Sequence, residues 1–288
     1  VEQHRYCQLA IDALAKLGVD VKWNTCVESV TQDGDGITAE FRNDTIQARW
    51  VIGADGAASA VRTSLGLEYG GKTYTHSSVL VSTPFPFHEH LENLTDVSYC
   101  WSARGPFSLL RLRNLWRVSL YPGVENLDAA ADRDRVRDWL AYIHPAARDA
   151  ELLDVSPYRV HERCVERFRL GRVLLAGDAA HLNPPSGGMG MNGGIHDAMN
   201  LAEKLLEVLD GADDALLDQY DRQRQTLASQ RIIPQAAENR TRMATRDRLL
   251  QLERLREQRK MAASSDTNRE FLLRASMITG LREAEKIE

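Results

Sequence analysis

The 288-residue sequence has no apolar run near the ~20 residues needed to cross a bilayer, so no membrane span is expected. It has no CxxC spacing. Its four cysteines, Cys7, Cys26, Cys100 and Cys164, are scattered, which reads as reduced structural thiols of a cytoplasmic protein and gives no metal-ligand pattern. It has no basic excess. Lys and Arg number 36 against 41 Asp and Glu, a formal charge of -5, so nucleic acid is not an expected partner. There is no G-x-S-x-G, no HExxH and no Walker A sequence, which leaves hydrolase and P-loop readings without support. Internal repeats are absent too. What the chain does have is core: 43% of residues are hydrophobic and 27% charged, a globular composition over a length that suits about two domains.

The most specific stretch is Arg172–Leu201, RVLLAGDAAHLNPPSGGMGMNGGIHDAMNL. Val173, Leu174, Leu175 and Ala176 read as a buried strand that ends on Gly177-Asp178. A loop with Pro184, Pro185, Gly187, Gly188 and Gly190 follows, and an amphipathic helix begins near Met191. An acid at the C-terminal edge of a strand accepts hydrogen bonds from ligand hydroxyls. Glycines at a helix start leave backbone N–H groups open to a developing anion. A second motif, Gly53-Ala54-Asp55-Gly56 with Ser59 and Arg62, places another acid at a strand end. By itself it fits a nucleotide or ribose site and a helix-capping turn equally well. Gly188, Gly190 and Gly193 match G-x-G-x-x-G with Asp210 about 20 residues on, but the long loop Ala179–Gly187 separates them from their strand. A separate dinucleotide site there is therefore rejected. His181 reads as a structural, backbone-bonded histidine, and Asp197 as a first-turn acid that favours the helix dipole.

Periodicity places a helix over Glu2–Leu17, closed by Gly18 at C′, with Leu9, Ala10, Ala13, Leu14 and Leu17 on one face. Strands are expected at Val19–Trp23, Val27–Gln32, Ile37–Phe41 and Thr45–Ile52, with Asp33-Gly34-Asp35-Gly36 as a turn. A β-rich region follows, with strands at Thr73–Thr83, Val97–Ala103, Phe107–Arg113 and Trp116–Tyr121, and a helix over Asp132–Ile143. Gln219–Arg259 reads as solvated helix packed on the core. The expected organisation is a discontinuous first domain, residues 1–65 and 166–215, a β-rich domain at 66–165, and a helical region at 216–288.

GADGAASAVR (Gly53–Arg62) and GRVLLAGDAAHLNPPSGGMGMNGGIHDAMNLAEKL (Gly171–Leu205) together resemble the paired DG and GD motifs of the FAD-dependent aromatic hydroxylases, the para-hydroxybenzoate hydroxylase-like flavoprotein monooxygenases. The order of the motifs, the β-rich insert between them and the helical tail are similar as well. The resemblance implies an α/β fold: a Rossmann-like FAD-binding domain, an inserted β-rich substrate domain and a helical C-terminal tail. It implies FAD as cofactor, with Asp178 at the ribityl chain and Gly177 cofactor-binding beside it. Met191 and Asn192 would offer backbone N–H groups to the N1/O2 edge of the flavin ring, and Gly188 and Gly190 would be cofactor-binding as well. Asp55, Gly56 and Arg62 would fall in the motif linked to FAD and NAD(P)H binding. Pro184 and Pro185 would line the loop by the reactive flavin carbon, the nearest to a catalytic position. Gln3 and Arg5 are similar to the family's flavin-contacting residues at the start of their helix. The implied reaction uses NADH or NADPH and O2 to hydroxylate a phenolic or other activated aromatic compound through a flavin C4a-hydroperoxide. Substrate contacts would come from the β-rich domain, with Trp101, Trp116 and Tyr121 as candidates.

The family's N-terminal βαβ unit, with its true G-x-G-x-x-G, has no counterpart here, and the chain opens on Val1. The expectation is that this chain binds FAD weakly or not at all by itself, with a homodimer or a complementing N-terminal segment as the partners this reading allows. Same-fold alternatives are a flavin halogenase or reductase, and a non-catalytic fragment is the alternative of a different class. The halogenase W-x-W element is absent, since no two of the five Trp residues stand two positions apart.

Overall fold

The structure, a computed structural model, describes residues 3–34 and 36–288. Val1, Glu2 and Asp35, expected at a helix start and in a turn, lie outside the described residues. The fold is mixed α/β, with four small sheets among the described residues followed by a helical C-terminal third.

The element that positions everything else is a short parallel pair. Val51–Gly53 runs beside Val173–Leu175, with Val51 opposite Val173, Ile52 opposite Leu174 and Gly53 opposite Leu175. Val173, Leu174 and Leu175 are fully buried. A strand covered on both faces reads as a continuous apolar run, as this one does. Arg169–Leu170 flanks it antiparallel. Because the pair is parallel, both strands deliver their C-terminal ends to one edge. Sequence 122 residues apart is thus brought together there.

A five-stranded antiparallel sheet follows the spatial order Asp154–Tyr158, Ser78–Thr83, Trp116–Leu120, Phe107–Arg111, Val97–Cys100. Its alternation is visible in Trp116–Leu120, where Trp116, Val118 and Leu120 are buried and Arg117 and Ser119 are not. The buried face packs on the helix Arg133–Ile143 through Val136, Trp139 and Leu140, in a hydrophobic cluster that runs from Val79 to Leu152. A separate cluster joins Val30, Ile37 and Val61 to Phe168, Leu174, Leu201, Leu217 and Tyr220.

Five sequence expectations change. Val19–Trp23 forms no strand. Gly18 (φ +73°) ends the helix Gln3–Lys16, and the amides of Gly18 and Val19 close onto Ala15 and Leu14, so the chain leaves in a turn with Trp23 67% exposed. The expected apolar face of that helix buries none of its residues. Thr45–Ile52 divides into Asp44–Ala48 and Val51–Gly53, which belong to different sheets, and Thr73–Thr83 divides into Gly70–Thr73 and Ser78–Thr83 in the same way. Helix Ala215–Leu227 continues through a π-helical turn, Ala228–Ile232, into Ile233–Ala244, and the chain then breaks before Arg248–Ala263, whose start Asp247 caps.

Gly53 is required by close packing. A Cβ there would stand 2.7 Å from Leu175 Cδ2 and 2.9 Å from Val61 Cγ1. Gly53→Ala is expected to cost about 1–3 kcal/mol of stability through overpacking of the parallel pair, measured by urea unfolding.

Candidate functional site

Both strands of the parallel pair end in an acid-bearing turn. On one side, Asp55 Oδ2 accepts from the Val61 amide at 3.1 Å and Ser59 Oγ from the Arg62 amide at 2.9 Å, so this turn opens the helix Ala60–Ser64. Gly56 holds φ +81°, a conformation that glycine adopts without strain. On the other side, Gly177–Ala179 is a single 3-10 turn directly after the strand.

Three side chains from separate parts of the chain hold the backbone of that second turn. The Gly177 N–H donates to Asp197 Oδ2 at 2.9 Å. The Tyr69 hydroxyl donates to the Asp178 carbonyl at 2.8 Å. Arg62 Nη1 donates to the Ala179 carbonyl at 2.9 Å, while its Nη2 donates to Ala57 O at 2.8 Å. The Arg62 guanidinium also lies 3.9 Å from the centre of the Tyr69 ring. Arg62 is therefore a buried strut between the two motifs, with its charge spread over carbonyls and a π face. The Asp178 side chain remains. It is exposed at the sheet edge, and its carboxylate makes no hydrogen bond among the described residues. Partial burial of the carboxyl pushes its pKa up, opposed by His181.

Asp197 is the anchor. It lies in the interior of the 21-residue helix Met189–Leu209, far beyond the first turn where the sequence reading placed it, and is fully buried. Besides the Gly177 amide it meets His181 Nε2 at 2.9 Å and Arg224 Nε at 2.6 Å. His181 is likewise bonded to this carboxylate and not to backbone as expected, and it stacks on Phe168 at 5.7 Å. Burial opposes ionisation of Asp197, but the His181 bond and charge, the Arg224 charge and the Gly177 amide outweigh it, and the pKa is held below the ordinary carboxylate value.

The helix Met189–Leu209 starts on Gly188 at φ +65° with no side-chain cap. The Gly188 amide closes onto Pro185 O at 3.0 Å. Helix geometry leaves Met189, Gly190 and Met191 with N–H groups that have no intrahelical acceptor. Asn192, expected to offer its backbone N–H to the flavin, instead has the Gly188 carbonyl as acceptor one turn back, and its Nδ2 donates to that same carbonyl at 2.9 Å. This start is an open donor cluster at the positive end of the helix dipole, reached by a loop on which Pro184 is buried and Pro185 exposed. Beside the loop lies a cavity of about 350 Å³ lined by Tyr99, Trp101, Ser186, Gly187, Asn239 and Arg242, among others. Tyr121 lines a smaller one next to Ser186. Trp116 is core, 3% exposed. Gln3 and Arg5 lie on the exposed start of their helix.

The sequence pattern of a family described as FAD binding domain matches residues 1–233. The chain is 34% identical over 282 residues to para-nitrophenol 4-monooxygenase of Pseudomonas sp. (strain WBC-3), covering 93% of this chain and 68% of that protein. The chain belongs to the FAD-dependent aromatic hydroxylases. A further relative is 3-(3-hydroxy-phenyl)propionate/3-hydroxycinnamic acid hydroxylase of Escherichia coli O139:H28, 35% identical over 69% of this chain and 36% of that protein. Among solved structures, p-nitrophenol 4-monooxygenase PnpA from Pseudomonas putida DLL-E4 superposes with a TM-score of 0.83 at 31% identity, covering 96% of this chain and 73% of that one. Aklavinone-11 hydroxylase in complex with FAD and aklavinone superposes with a TM-score of 0.75 at 27% identity, over 85% of this chain and 48% of that one. The chain spans about half or less of several other curated relatives.

In this member of the FAD-dependent aromatic hydroxylases, sequence reasoning missed the struts Tyr69, Asp197 and Arg224. The available signal was an acid, Asp197, three residues after the last helix glycine, Gly194. Removing one partner of a buried ion pair strands the other. Arg224→Met is therefore expected to lose about 3–5 kcal/mol at neutral pH, measured by urea unfolding. Because Asp197 is depressed in the folded state, its contribution is complete above the unfolded value of about 4 and is lost as pH falls through the folded value. The gap between wild type and Arg224→Met is expected to narrow below pH ~4.

Proposed function

We propose that this chain is the catalytic portion of an FAD-dependent monooxygenase that hydroxylates a phenolic or other activated aromatic compound, with NADH or NADPH as electron donor. The single observation that carries this reading is the edge of the parallel pair. There the Asp55-Gly56 and Gly177-Asp178 turns stand side by side, with an unpartnered carboxylate. Polyol chains need hydrogen-bond acceptors, and the pyrimidine edge of a flavin needs donors. The turn at Asp178 and the open amides of Met189–Met191 supply one of each.

The residues fit the ribityl and ring half of FAD, whose ring when bound supplies the redox and oxygen-activating chemistry. Asp178 would accept from the ribityl hydroxyls. The amides of Met189–Met191, at the positive end of the helix, would stabilise negative charge at the ring's N1/O2 edge. Pro184 and Pro185 would border the ring without donating hydrogen bonds, since proline has no N–H. The cavity beside Ser186-Gly187 has aromatic walls in Tyr99 and Trp101, which suit a planar ring, and polar groups in Asn239 and Arg242, which suit its oxygen substituents. Trp101 is fixed there by Nε1 donation to the Met243 carbonyl at 3.1 Å. A ring held between this wall and the loop would be screened from water at the reacting atoms. The names of the relatives, a para-nitrophenol 4-monooxygenase and a hydroxycinnamic acid hydroxylase, support a phenol as the substrate class.

The test is consumption of NADH or NADPH in the presence of excess FAD, with and without a panel of substituted phenols, and incorporation of one atom from 18O2 into the product. Phenol-stimulated consumption with labelled product is expected. Consumption that no phenol accelerates would sink the reading. Asp178→Ala is expected to weaken FAD binding about 10- to 100-fold, the equivalent of one charge-assisted hydrogen bond or more, measured by flavin fluorescence titration.

A further inference from the structure

We infer that Asp197 is a positioning residue for the cofactor site: it acts through the Gly177 amide to fix the direction in which Asp178 is presented. This rests on the FAD reading above and goes beyond it, since Asp197 is fully buried and touches no ligand surface.

The geometry supporting this is a chain of two steps. One Asp197 oxygen, Oδ2, receives both the Gly177 N–H and His181 Nε2, each at 2.9 Å. Gly177 and His181 bracket Asp178, so a single buried oxygen ties both ends of the turn that carries it. The other oxygen, Oδ1, receives Arg224 Nε at 2.6 Å, and Arg224 Nη2 donates to Gly193 O at 3.3 Å, which pins the carboxylate to its own helix. Shape enforces the same distance. Gly177 and Gly194 meet backbone to backbone, with a Cβ on Gly194 falling 3.3 Å from Gly177 Cα. A Cβ on Gly193 would fall 3.2 Å from His181 Cε1. The helix that offers its open amides at Met189–Met191 therefore also holds, eight residues on from Met189, the turn that offers the Asp178 acceptor. Asp197 sets donor and acceptor in one frame, and displacing its carboxylate moves the acceptor relative to the donors.

The experiment compares FAD affinity in the whole chain for wild type, Asp197→Asn, Asp197→Glu and Tyr220→Phe. FAD is titrated in excess and followed by flavin fluorescence, and each variant is first checked for folding by near-ultraviolet circular dichroism. Tyr220→Phe is the control for a stability loss alone. It removes the hydroxyl that donates to Leu175 O at 2.6 Å in the same core, without touching the turn. Asp197→Asn is expected to raise the FAD dissociation constant at least tenfold and to alter the visible spectrum of bound flavin, while Tyr220→Phe stays within about twofold of wild type. Asp197→Glu keeps the charge and shifts the oxygens by one methylene. It is expected to weaken FAD as Asn does, and it carries the test if the Asn variant does not fold. Amide exchange in residues 177–181, measured without FAD, is expected to accelerate in the Asp197 variants and not in Tyr220→Phe. A folded Asp197 variant with wild-type FAD affinity overturns the inference and leaves the FAD reading standing. Unchanged amide exchange in residues 177–181 of a folded Asp197 variant overturns the inference whether or not FAD binds, and no saturable FAD binding by wild type overturns the FAD reading.

Discussion

The site depends on one buried carboxylate. Asp197 has no exposure to water, and an unpaired ion there would cost several kcal/mol. Its charge is tolerated because Arg224, His181 and the Gly177 amide converge on it. Those three belong to the helix after Asp214, the strand after the motif turn, and the turn itself. The requirement to satisfy one anion thus ties the helical region to the sheet edge. Any packing that separated them would leave either a buried charge or an orphaned amide.

The parallel pair turns that constraint into a site. An antiparallel pair would send the two acid-bearing turns to opposite ends of the strands. A parallel pair brings them to one edge, and the glycine at Gly53 lets the strands sit as close to Val61 as they do. Arg62 then bridges the turns, with one nitrogen on each, and Tyr69 covers it. Desolvation pushes the Tyr69 hydroxyl pKa far above its ordinary value, against the pull of Arg62, so the group remains a donor to the Asp178 carbonyl.

The paired motifs were legible in the sequence because their residues are local: an apolar run, an acid, glycines, and a helix. The same is true of the Gly18 helix stop, which needs only one residue with φ > 0. The long strands were misread because periodicity cannot see which sheet a residue joins. Thr45–Ile52 alternates well enough as one strand, yet Asp44–Ala48 pairs with Ile37–Phe41 and Val51–Gly53 pairs with Val173–Leu175. The roles of Asp197 and Arg224 were illegible for a related reason. A charged residue on a helix reads as solvated until its partner is known, and that partner is 27 residues away. Arg62 read as a ligand contact on the strength of its motif, and its own hydrogen bonds are to carbonyls that only the folded chain brings near.

Two carboxylates flank the same glycine, burial opposes the charge of both, and their net pKa shifts run in opposite directions. Asp197 is depressed because its partners outweigh desolvation; Asp178 is raised because desolvation prevails. His181 favours the charged form of both, and it is bonded to only one. The difference is therefore one of partners rather than of depth. The fold spends its donors on the carboxylate that holds the turn and withholds them from the carboxylate that the turn presents. A side chain rigidly carried and left short of donors is poised to take hydroxyl groups from a ligand, because binding supplies the hydrogen bonds that the fold does not. The open amides at Met189–Met191 are the complementary case, donors held rigidly and left short of acceptors.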